Sequence, residues 1–111
     1  MQREMLEVKA PEMFKFERAN DVITGILMAI ESVVVQHKEQ KQYVVKKDDG
    51  QLATFLQTYD MRARLREEFL GHYIEVRYLG EDKLVETQGN PLRRFGIKVS
   101  AQKELDPTLG F

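Results

Sequence analysis

Residues 22 to 36 read VITGILMAIESVVVQ, an apolar run long enough for a helix or for a buried strand. The Val33-Val34-Val35 run and the interior Gly25 decide for a long strand, because β-branched side chains fit a pleated surface. Gly25 then marks a bulge or a sharp bend. Two shorter strands follow, over residues 42–47 and 51–57. Asp48-Asp49-Gly50 between them reads as a tight hairpin turn, since glycine accepts the positive φ that such turns require. In TYDMRARLREEFLG, Asp60 or Thr58 can cap a helix start, and Met61, Leu65 and Phe69 recur as one apolar stripe. Gly71 stands where a helix commonly stops. The spacing predicts a helix over 60–70. A fourth strand, 72–79, alternates Ile74, Val76 and Tyr78 with Glu75 and Arg77. After a connection through Pro91, a fifth strand spans 92–100. Phe95, Ile97 and Val99 take one face of it, and Arg94, Gly96 and Lys98 the other.

Five strands with one helix between the third and fourth is the order of an OB-fold, a small Greek-key barrel. The expected class is therefore mainly β, a five-stranded barrel over residues 13–100. A charged lead-in (1–12) ends just after Pro11, and a tail follows (101–111). The stretches KFERANDVITGILMAIESV, YVVKKDDGQLATFLQT, GHYIEVRYLGEDK and GNPLRRFGIKV resemble small OB-fold proteins of phage and prophage type, commonly regarded as single-stranded-DNA-binding. The resemblance rests on the spacing of glycines and apolar residues, above all Gly71, Val76-Arg77-Tyr78-Leu79-Gly80, Gly89-Asn90 and Phe95. It implies a ligand surface on the outer face of strands two and three.

Parity along the third strand groups Leu52, Thr54 and Leu56 on one face and Ala53, Phe55 and Gln57 on the other. Two leucines against one phenylalanine place the leucines inside and Phe55 outside. The turn sets what faces it. A two-residue loop puts Phe55 opposite Val44. A three-residue loop closed by Gly50 pairs Lys47 with Gln51 and puts Phe55 opposite Tyr43, and the Asp-Asp-Gly sequence favours this second register. The expected site is then Tyr43 and Phe55 as stacking surfaces, with Lys46, Lys47, Arg94 and Lys98 on phosphates. Cover by the N-terminal segment or by a subunit contact is the alternative duty for Phe55.

Charge sharpens this only locally. The 111 residues carry 17 Lys+Arg against 18 Asp+Glu, net −1, which argues against a bulk electrostatic binder. Yet residues 87–103 hold Arg93, Arg94, Lys98 and Lys103 and no acid, a strip able to neutralise phosphates or simply a solvated face. Arg62 and Arg66 read as a solvated helix face beside Glu67 and Glu68. The absence of cysteine removes disulfide and thiolate chemistry and suits a reducing, cytoplasmic setting. No apolar run reaches the length of a membrane span, and the first residues lack a signal-peptide layout. His37 and His72 have no metal-ligand spacing, Ser32 and Ser100 sit in no nucleophile motif, and the paired carboxylates fall in turns or on the helix. No cofactor, metal or catalysis is expected. The terminal Phe111 resembles the partner-recruiting tail of bacterial single-stranded-DNA-binding proteins, although only Glu104 and Asp106 supply acids. The expected function is non-catalytic binding of single-stranded nucleic acid, DNA before RNA. The rival is a protein-contact or assembly module, with a homo-oligomer or a tail-bound protein as partner.

Overall fold

The computed structural model describes residues 3–5, 10–87 and 90–105. Phe111 and the acid at Asp106 lie outside the described residues. Six strands form one sheet: β1 (Glu12–Met13), β2 (Val22–Val35), β3 (Lys38–Lys46), β4 (Leu52–Leu56), β5 (His72–Thr87) and β6 (Asn90–Lys103). Between β4 and β5 lie a four-residue helix, α1 (Tyr59–Arg62), and a 3₁₀ turn, Glu67–Phe69. The spatial order is β1-β4-β3-β2-β5-β6, antiparallel throughout except for β1 on β4. Strands β2, β3 and β4 are consecutive hairpin partners and β5 returns beside β2, which is a Greek key.

The long first strand is present as expected. Val22 to Ile26 pair with β5 and Ile26 to Val35 with β3. The register slips between Leu27 and Ala29. Gly25 adopts φ 153°, and the β3 backbone passes so close that a Cβ there would lie 2.4 Å from the Lys46 carbonyl oxygen. The end of β2 turns through Gln36 and His37, both at positive φ. Two residues at positive φ make the hairpin turn whose twist suits the flanking strands. Both hairpins run further than the sequence pattern indicates: Lys38 to Lys41 pair with β2, and Gly80 to Asp82 together with Glu86 and Thr87 pair with β6.

The sheet does not close into a five-stranded barrel. The edge of β4 that closure would need is taken by β1, which pairs Glu12 with Ala53 and Met13 with Thr54. The opposing edge of β6 is met at Phe95 by side chains. Asp60 Oδ2 accepts from the Phe95 N–H (2.9 Å), and the Arg64 guanidinium donates to the Phe95 carbonyl. Phe16 fills the seam between them, 5.6 Å from the Phe55 ring and 5.0 Å from the Phe95 ring, both edge-on. Arg93 donates to the Phe16 carbonyl while lying 4.5 Å over the Tyr78 ring. Each edge-to-face pair adds about 0.5–1.5 kcal/mol beyond its buried area. The lead-in is thus part of the sheet, and its backbone occupies the edge that closure would have used.

The helix expected over 60–70 is broken. Met61 and Leu65 are fully buried and Phe69 packs beside them, so the apolar stripe is real. The Leu65 carbonyl, however, accepts the Tyr43 hydroxyl (2.9 Å), and the Phe69 N–H turns back to Arg66 (3.0 Å). Thr58 is the residue before the helix but forms no side-chain cap, and Asp60 is drawn to β6 instead of capping.

Candidate nucleic-acid interface

The hairpin register is the three-residue one: Lys47 N–H donates to Gln51 O (2.9 Å) and Tyr43 lies opposite Phe55. The facing is reversed. Phe55 is 1% exposed and Tyr43 0%, their ring centroids 5.1 Å apart in the core. Leu52 and Leu56 are half-buried on the outer face instead. The lead-in makes this tolerable, since Leu52 lines a pocket with Ala10 and Pro11, and Leu56 one with Met13 and Phe14. The interior takes the larger ring because Phe16 and Tyr43 offer it aromatic partners. Tyr43 also spends its hydroxyl inside. It donates to Leu65 O and accepts from Gln57 Nε2 (2.9 Å). Burial pushes its pKa up, with the Gln57 hydrogen bond opposing the shift.

The cations expected to join these rings are dispersed. Lys47 pairs with Glu12 (3.3 Å). Lys46 is half-buried at the end of β3. Arg94 and Lys98 share the outer face of β6 as parity requires, but carboxylates meet both. Arg94 reaches Asp82 (3.3 Å) and Asp60 (3.6 Å), and Lys98 reaches Glu75 (3.8 Å). The strip that lacks acids in sequence acquires them from β5 and α1 in space. Of the six expected residues, the structure brings only Tyr43 and Phe55 into contact, and it does so away from solvent.

A different group of residues converges at the base of the β2–β3 arm. Ile30, Lys41, Gln57, Arg62, Leu65, Arg66, Glu67 and Glu68 line a groove of about 530 Å³. Its parts are fixed from below. The Gln57 N–H donates to Lys41 O (2.8 Å), extending the β3–β4 ladder, and the Tyr43 hydroxyl ties the segment after α1 to β3. Leu65 and the half-buried Ile30 form an apolar floor. Arg66 pairs with Glu68, whereas Lys41 and Arg62 form no ion pair among the described residues. Two exposed cations above an apolar floor can hold phosphate oxygens while the attached ring system lies on aliphatic carbon. The Arg62/Arg66 spacing was visible in sequence. Lys41 was not, because it stands in a segment that reads as a connection.

These features define a mainly β protein with one open Greek-key sheet and a groove rimmed by charged side chains of both signs. Comparison with protein families, with curated proteins and with solved structures returns no match. Among the described residues no helix is long and apolar enough to cross a membrane.

Proposed function

We propose that this protein binds single-stranded nucleic acid, DNA before RNA, without catalysis, along the groove between the β2–β3 arm and the α1 segment. The observation that carries this reading is that Lys41 and Arg62 line the groove and form no ion pair among the described residues, whereas Arg94 and Lys98 of the β6 strip are matched by acids. The sheet supports it by analogy. The order β4-β3-β2-β5-β6 is that of an OB-type sheet left open at its seam, and OB-folds bind oligonucleotides on their second and third strands and the flanking loops. Lys41 stands on the second of those strands. In this reading Lys41 and Arg62 neutralise phosphates, and the Arg62 guanidinium offers a plane for a base. Phe55, being enclosed, takes no part in stacking.

The test is fluorescence anisotropy with a labelled deoxythymidine oligonucleotide across a salt series. Replacing Lys41 and Arg62 together with Ala is expected to weaken binding roughly tenfold or more at low salt. It should also reduce the slope of log K against log salt by about 1.4, the loss of two phosphate contacts on a single strand. The Arg94→Ala/Lys98→Ala protein should keep the parental slope. Absence of binding at low salt, or a slope that responds only to the β6 pair, overturns the proposal.

A further inference from the structure

Val22 to Ile26 of β2 are covered by β5, and Leu27 O is taken by the Gly71 N–H (2.7 Å). From Glu31 to Val35 the strand has β3 on one side and, among the described residues, no strand on the other. The Val35/Lys38 pair closes the two-residue turn, so alternation along the ladder aims the backbone groups of Ser32 and Val34 away from β3. Val34 is 75% exposed. A two-stranded ribbon standing alone is marginally stable in water.

Natural sheets guard such edges with lysine, proline, bulges or short length. The other edges here are guarded. β1 has two residues. β6 presents Arg94 and Lys98 and is covered at Phe95 by Asp60 and Arg64. The β5–β6 arm breaks register at Tyr78/Gly80 and again at Asp82/Glu86 and carries Glu81, Asp82 and Lys83. The free part of β3 bears Lys38 and Glu39, and β4 with Gln57 covers it from Lys41 onward. Among the described strand edges, Glu31-Ser32-Val33-Val34-Val35 is the least protected: Glu31 at its base is its one charge, and it has no proline, no lysine and no register break.

We propose that two copies of this chain associate by pairing these β2 edges antiparallel, with Val33 on the two-fold axis. A strand edge selects an extended strand as partner, and the same edge of a second copy is complementary to it. Ser32 then lies opposite Val34 of the other copy, and their outward N–H and C=O groups exchange hydrogen bonds. Glu31 falls opposite Val35, so no like charges meet. Its carboxylate is also held over its own ribbon by Gln42 (3.2 Å). The interface is isologous and closes as a dimer. It requires no nucleic acid, so its outcome is separable from that of the groove.

The chain has no cysteine, so one introduced thiol reports one contact. Val33→Cys places two Cα atoms about 4.5 Å apart across a non-hydrogen-bonded pair, within disulfide reach. Under mild oxidation this variant is expected to become covalent dimer. Leu84→Cys, on the other arm and 96% exposed, should stay monomeric. In sedimentation velocity the parent should run as a dimer and Val34→Pro as a monomer with native circular dichroism, because the lost N–H points outward. If Val34→Pro does not fold, Val34→Lys gives the same readout through charge on the edge. A parent that sediments as a monomer at high micromolar concentration overturns the inference. So does equal cross-linking of the two cysteine variants, or a dimer that survives both Val34 substitutions.

Discussion

Phe55→Ala is expected to lower the free energy of unfolding by about 3–5 kcal/mol. The ring is 1% exposed and touches Tyr43 and Phe16, and through Phe16 it links β4 to Phe95 on β6. Emptying the site removes the aromatic bridge across the unpaired seam, which backbone hydrogen bonds between β4 and β6 do not replace. Urea unfolding followed by circular dichroism checks the loss. The fraction that remains folded should bind an oligonucleotide as the parent does. A stable Phe55→Ala protein with weakened binding would return Phe55 to the surface and remove the aromatic core from the account.

Gly25→Ala is expected to cost roughly 3 kcal/mol or more, a sum of conformational strain and overpacking. At φ 153° a side chain is strained in any case, and its Cβ would meet the Lys46 carbonyl oxygen at 2.4 Å and Val45 Cγ1 at 2.5 Å. Gly50 provides the contrast. It also has positive φ (86°), but nothing lies within 4 Å of the added atom. Gly50→Ala should therefore show the conformational part alone, about 1 kcal/mol. Unfolding midpoints of the two variants separate the terms. Equal midpoints would mean that β3 does not pass over Gly25 as described.

Local pattern carried much of the fold into the sequence. Val33-Val34-Val35 and Gly25 marked β2 as a strand, Asp48-Asp49-Gly50 favoured the hairpin register that forms, and parity on β6 placed Arg94 and Lys98 outward. What parity could not supply was the facing of β4. Leu52 and Leu56 outnumber Phe55, but the lead-in shelters the leucines and the rings of Phe16 and Tyr43 receive the phenylalanine. Both effects come from distant segments. The open seam was hidden for the same reason, since β1 competes for an edge from the far side of the hairpin. Helix continuity failed where the Tyr43 hydroxyl, 22 residues away, captured the Leu65 carbonyl. The groove needed Lys41 beside Arg62, a juxtaposition that exists only after β3 and α1 are packed. The acids opposing Arg94 and Lys98 are likewise neighbours in space alone.

The most direct test of the groove is a backbone-amide chemical-shift map of the protein titrated with a single-stranded deoxythymidine oligonucleotide. The expected result is a contiguous set of shifts at Lys41, Gln57, Arg62, Leu65 and Arg66, with Arg94 and Lys98 unmoved. Shifts centred on Arg94 and Lys98, or none at saturating oligonucleotide in low salt, would contradict it.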